Sequence, residues 1–152
     1  ISLHIQIYRG EKMSSRIAYN QREVDLLARL IRAEAVGEGD QGMLLVGNVV
    51  VNRVAAQCDV FRDVTSISEA IYQKNAFAGV ASPLFQGAAN AKEKELALKT
   101  IQYYRRSPAT YALWFKNPGT NVICPEKFYG YLSGRFKSHC FYDPGEELKC
   151  NF

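Results

Sequence analysis

Glu34 is the residue whose type and position point most directly to chemistry. A helix turns once in roughly 3.6 residues, so Leu27, Leu30 and Ile31, at i−7, i−4 and i−3, share its face. A carboxyl on an apolar stripe is disfavoured in its charged form. Burial there raises its pKa and prepares a general acid that can protonate a leaving oxygen near neutral pH. The competing readings are that Glu34 leans out to water or pairs with Arg32 or Arg53. Glu38, Asp40 and Glu69 are the acidic residues near enough in sequence to act as its partners. Glu38 and Asp40 fall in a Gly-rich connection and read as solvated turn residues. Hydrolysis of a glycosidic bond by the usual route needs two carboxylates at a defined separation, and no convincing second one stands out. The pattern favours chemistry that needs only one.

Two aromatic segments carry polar neighbours. Tyr72-Gln73-Lys74-Asn75-Ala76-Phe77 is one, and Tyr111, Trp114, Phe115 and Asn117 form the other. Sugars present apolar faces and hydroxyl edges, so flat rings beside amides suit a glycan groove. Trp114 and Phe115 can equally be core residues of a strand, which is the stronger reading for Phe115. Gln73 and Asn117, polar at the ends of elements, are the better ligands. His139 stands between Ser138 and Cys140 and serves either as a groove residue or as a half-buried histidine bonded to backbone. A Cys–His nucleophile pair using Cys140 or Cys58 is the rival enzymatic reading. It is weak, because neighbours 139 and 140 on a strand point to opposite faces.

The elements that must position these groups begin with a helix over about Asn20 to Val36, marked by Val24, Leu27, Leu30 and Ile31. Asn20 followed by Glu23 reads as a capping box, and Gly37 and Gly39 stop the helix. A second helix, about Gln41 to Val54, is apolar almost all round and belongs at the buried centre. A short helix over about Ser66 to Gln73 and a loop from Lys74 to Gly87 follow. A fourth helix covers about Ala88 to Arg105. Beyond Pro108 the character changes: Tyr111 to Phe115 reads as a strand closed by Asn117-Pro118-Gly119. Gly134 to Tyr142 alternates, with Phe136, Ser138, Cys140 and Tyr142 on one face. Helices first and a small antiparallel sheet last make an α+β class.

The chain has 152 residues, enough for one domain with a sizeable core. Nineteen Lys and Arg against 15 Asp and Glu leave a net +4, scattered along the chain, which argues against a nucleic-acid partner. No run approaches the about 20 apolar residues of a membrane span. Residues 1–12 lack the order of a secretory signal and read as an upstream or appended extension, with Met13 as native start and 13–152 as a single catalytic domain. Cys58, Cys124, Cys140 and Cys150 allow three pairings and contain no C-x-x-C metal pattern. With only His4 and His139 available, several-histidine metal coordination cannot be assembled, and no metal or other cofactor is expected.

The run Asp25-Leu-Leu-Ala-Arg-Leu-Ile-Arg-Ala-Glu34-Ala-Val-Gly-Glu-Gly resembles the spore cortex-lytic cell wall hydrolase family. So do Gly42 to Arg53, Ile71-Tyr72-Gln73 with Phe77, Ala112 to Pro118, and Arg135 to Tyr142, in the same order along about Asp25 to Tyr142. The spacing after the first helix, Cys58, Cys124 and the Ser-His-Cys-Phe-Tyr ending resemble the CwlJ-type branch of germination enzymes. The resemblance implies a lysozyme-like, mainly helical fold acting on the glycan strands of cortex peptidoglycan, with Glu34 at the family's essential glutamate. Gln73, Phe77, Trp114, Asn117, His139 and Tyr142 are then expected to shape the glycan groove. It further implies synthesis in the mother cell without a signal peptide and a place at the spore coat and cortex boundary. A coat protein partner and activation by calcium dipicolinate are implied as well. Lytic transglycosylase action is the favoured chemistry. Amidase-type hydrolysis, a non-catalytic cortex-binding coat protein and a disulfide-crosslinked structural protein are the alternatives.

Overall fold

The computed structural model describes residues 15–152; the expected extension over 1–12, with His4, lies outside the described residues. Helix α1 spans Gln21–Ala35 and starts where expected, because the Asn20 side chain accepts a hydrogen bond from the Glu23 N–H at 2.9 Å. Only half of the expected capping box forms. The Glu23 carboxylate turns away and accepts from the Ser68 N–H and hydroxyl, both at 3.0 Å, which ties α1 to a later helix. Val24, Leu27, Leu30 and Ile31 are buried, so the apolar stripe faces the core.

The helix ends at Ala35, and a single 3-10 turn, Val36–Glu38, leads directly into α2, Gly39–Ala56. Gly39 makes this tight junction at φ 80°, a conformation that a side chain would oppose. Helix α2 is buried nearly throughout. Its polar side chains serve as hydrogen-bonding anchors: Asn52 donates to the carbonyls of Ala109, Thr110 and Ala112, and Asn48 bridges Tyr104 and Arg106. The irregular stretch after the helices is thus hung on α2. Helix α3, Ile67–Tyr72, is capped by Ser66. The expected loop from Lys74 to Gly87 contains two 3-10 turns, Ala78–Ala81 and Pro83–Phe85. Arg32 holds this stretch by donating to the Leu84 and Gln86 carbonyls while pairing with Glu93 at 3.0 Å. Helix α4, Ala91–Gln102, is shorter at both ends than periodicity suggests and carries a complete capping box between Asn90 and Glu93.

The remaining elements form an antiparallel sheet with strand order β1-β4-β3-β2: β1 Trp114–Lys116, β2 Lys127–Phe128, β3 Gly130–Phe136 and β4 His139–Asp143. The single alternating strand expected over Gly134 to Tyr142 is instead two strands. The chain reverses at Lys137 and Ser138, with Lys137 at φ 49° and Phe136 paired to His139. Strand β4 lies between β1 and β3 and is covered on both faces. Phe141 packs with Leu45 and Val49, while Cys140 and Tyr142 join the main core, so four consecutive residues, His139 to Tyr142, are buried. Two disulfides, Cys58–Cys150 and Cys124–Cys140, use all four cysteines.

Candidate active site

The end of α1 brings Glu34 to a cavity of about 520 Å³, which is also lined by the stretch 73–78, by Trp114 to Asn117, and by Phe128, Tyr129 and His139. Glu34 is the one carboxylate in this lining. Its Oε2 accepts a hydrogen bond from the Gly79 N–H at 2.6 Å, supplied by the 3-10 turn after Phe77. A Cβ at Gly79 would stand 2.6 Å from that same oxygen, so glycine is what permits the approach. Burial raises the Glu34 pKa above the usual carboxylate value, and it outweighs the opposing effects of the Gly79 hydrogen bond and of His139. The arrangement can hold a proton and present it to a group in the cavity.

Neither arginine pairs with Glu34. Arg32 is engaged by Glu93, and Arg53 donates through Nε to the Leu113 carbonyl at 2.7 Å. The Arg53 guanidinium lies 4.7 Å from the Phe61 ring centre and 4.5 Å from that of Phe77, and burial lowers its pKa to about 10. Arg53 itself also lines the cavity.

Glu38 corrects the expectation of a solvated turn residue. Its side chain is only 12% exposed, and Oε1 accepts from the Ser138 N–H at 2.9 Å and lies 3.0 Å from His139 Nδ1. A carboxylate only accepts, so Nδ1 is the donor of this bond. Lys137 adds a bond from its ammonium to the Glu38 carbonyl. The α1–α2 junction and the β3–β4 turn are thereby locked together beside the cavity. Asp40 and Glu69 play no such part: Asp40 pairs with Lys92, and Glu69 accepts from Thr65.

Gln73, Phe77, Trp114, Asn117 and His139 all line the cavity with Glu34. Tyr142 does not. It is fully buried, and its hydroxyl donates to the Pro125 carbonyl at 2.8 Å, so its role is to pack the core and tether the segment before β2. The Cys–His nucleophile reading is also overturned, because Cys58 and Cys140 are both in disulfides. Lys74, within the segment read as groove-like, also lines the cavity, as do Lys116, Phe128 and Tyr129, which the sequence does not single out. The Lys127-Phe128-Tyr129 run of exposed-looking aromatics offered the only signal for the last two. Among the described residues, no group of three or more His, Cys, Asp or Glu gathers as a metal site.

A family model described as Cell Wall Hydrolase matches residues 37–142, a span that begins just after Glu34. Cell wall hydrolase CwlJ of Bacillus subtilis (strain 168) is 48% identical over 126 residues, covering 82% of this chain and 87% of the relative. A spore cortex-lytic enzyme of Oceanobacillus iheyensis is 31% identical over 102 residues, 67% of this chain and 35% of that protein. Among solved structures, the catalytic domain of the Bacillus cereus SleB protein aligns with a TM-score of 0.67 at 24% identity, over 84% of this chain and 96% of that one. This likeness bears on the fold, which is the lysozyme-like α+β architecture expected from the sequence.

Proposed function

The chain belongs to the cell wall hydrolase family, and from that premise we propose that it cleaves the glycan strand of spore cortex peptidoglycan during germination, with Glu34 as its proton donor. The carrying observation is a single carboxylate, its pKa raised by burial, in an open cavity walled by aromatic and amide side chains. A cortex-lytic role in germination agrees with the relatives named CwlJ and spore cortex-lytic enzyme. The cortex and coat boundary is the matching place of action.

One carboxylate is enough for a lytic transglycosylase. Protonated Glu34 gives its proton to the glycosidic oxygen as the C1–O bond breaks. The C6 hydroxyl of the same muramyl ring then attacks C1, and its proton passes to the Glu34 carboxylate. The products are a free hydroxyl on the departing chain and a 1,6-anhydro ring, with no water consumed and Glu34 restored to its acid form. Because nucleophile and electrophile are on one sugar, positioning supplies much of the rate. Gln73, Asn117 and His139 are the polar groups that hold the strand, and Phe77 and Trp114 supply apolar surface.

Muropeptides released from purified cortex are expected to end in anhydro sugars, lighter by one water than hydrolysed ends. Glu34→Gln should lower their release by about 10²–10⁴-fold. Hydrated ends would overturn the transglycosylase step, and free stem peptides would indicate amidase action. Undiminished release by Glu34→Gln would remove Glu34 from the chemistry.

A further inference from the structure

Tyr129 combines two properties that core packing does not account for. It is 81% exposed, the most exposed aromatic residue among those described, and its φ is 63°. A bulky side chain is disfavoured in the left-handed region, and such strain persists only where the surrounding structure enforces it. Here the enforcement is visible. Gly130, the next residue, lies so close to β4 and Trp114 that a Cβ would stand 2.7 Å from the indole and overlap the Asp143 carbonyl oxygen. The bend at 129–130 sets the Tyr129 ring nearly parallel to the Trp114 indole, at 28° and 6.1 Å between centres, with Phe128 edge-on at 4.9 Å. Lys116 holds its ammonium 4.9 Å over Phe128 and further fixes the cluster. The result is a flat ring backed by aromatic side chains and open on its outer side, in the wall of the cavity that contains Glu34.

We propose that Tyr129 is a sugar-stacking residue, on whose exposed face a hexosamine ring of the glycan strand lies, one that flanks the bond acted on at Glu34. A pyranose ring has a face of C–H groups and a rim of hydroxyls. The tyrosine ring matches the face, and its phenolic hydroxyl reaches the rim. The backbone bend therefore presents a rigid platform, so little ordering is needed on binding. This inference rests on the proposed glycan chemistry and adds a residue that holds the strand in the cavity beside Glu34.

The test measures binding of soluble glycan strands prepared from cortex peptidoglycan, with Tyr129 variants built on Glu34→Gln so that no turnover interferes. Tyr129→Ala is expected to raise Kd about tenfold, which corresponds to about 1.4 kcal/mol, and Tyr129→Phe to stay within about threefold. Tyr129→Gly relieves the positive φ, so it should bind as weakly as Tyr129→Ala while unfolding at or above the parent's denaturant midpoint. That opposition of stability and binding is not expected of a merely structural residue. With Glu34 intact, Tyr129→Ala should raise KM for long strands and leave kcat nearly unchanged. Unchanged strand binding by Tyr129→Ala overturns the platform while leaving the role of Glu34 standing. Undiminished turnover by Glu34→Gln overturns the catalytic reading while the binding data stand on their own.

Discussion

At the scale of single residues, the site depends on one carboxyl whose environment favours its neutral form. Burial is the largest influence on Glu34 and raises its pKa, so the folded protein binds this proton more tightly than the unfolded chain does. Stability from this group is complete below the unfolded pKa and is lost as pH rises through the higher folded value. Activity follows the same titration, because only the protonated form can donate. Turnover is therefore expected to fall as pH climbs through the folded pKa of Glu34. Glu34→Gln, which can still accept from Gly79 N–H through its amide oxygen, should gain stability relative to the parent as pH increases. Urea midpoints of both proteins at about pH 4 and about pH 8 check this. A difference that stays constant across that range would mean Glu34 titrates as an ordinary surface carboxyl.

At the scale of elements, Asn52 of α2 shows how a polar residue in an apolar helix can set the shape of a site it does not line. Asn52 is fully buried and donates to three carbonyls of the 109–112 stretch while accepting from Arg16 at 2.7 Å. This stretch feeds β1, whose Trp114 and Phe115 line the cavity. Asn52→Leu would look harmless on a helix so rich in valine. It is nonetheless expected to destabilise by about 3 kcal/mol, measured by denaturant unfolding, because the abandoned carbonyls stay buried without donors. A loss below about 1 kcal/mol would show that water replaces the amide. Helix periodicity made α1, α2 and the Glu34 face legible in the sequence, because those signals are local. The β3–β4 reversal was not legible, since its turn at Lys137 and Ser138 has neither Gly nor Pro, and β4, covered on both faces, loses its polar alternation. Alternation puts Tyr142 on the side of Cys140, and that side is the core rather than the groove. The role of Glu38 is not legible in the sequence because its partner His139 is 101 residues away, a contact that only the completed fold creates. Tyr129 went unseen for the same reason, as its conformation is imposed by Trp114 and Asp143 from other strands.

At the scale of the whole molecule, the two disulfides divide their tasks. Cys58–Cys150 spans 92 residues and fastens the last segment behind α2, where the Asp59 N–H bonds the Lys149 carbonyl and the Asn151 N–H bonds the Ala56 carbonyl. Cys124–Cys140 spans 16 residues and ties the segment between β1 and β2 to the strand that carries His139. In the chain-entropy account, a crosslink stabilises by restricting the unfolded ensemble, more so for the longer loop: about 4.5 kcal/mol for the first and about 3 kcal/mol for the second. Function should rank them the other way. Cys140 adjoins His139, whose Nδ1 hydrogen bond to Glu38 joins sheet to helices at the cavity, so releasing Cys124–Cys140 loosens that junction directly. Cys58→Ala with Cys150→Ala is expected to give the larger drop in denaturant midpoint with turnover kept below the transition. Cys124→Ala with Cys140→Ala should give the smaller drop in stability but the larger loss of turnover, measured where both proteins remain folded. Equal losses of activity at matched stability would mean that the sheet holds His139 without the covalent tie, and that the contacts of β4 with β1 and β3 alone fix that wall of the cavity.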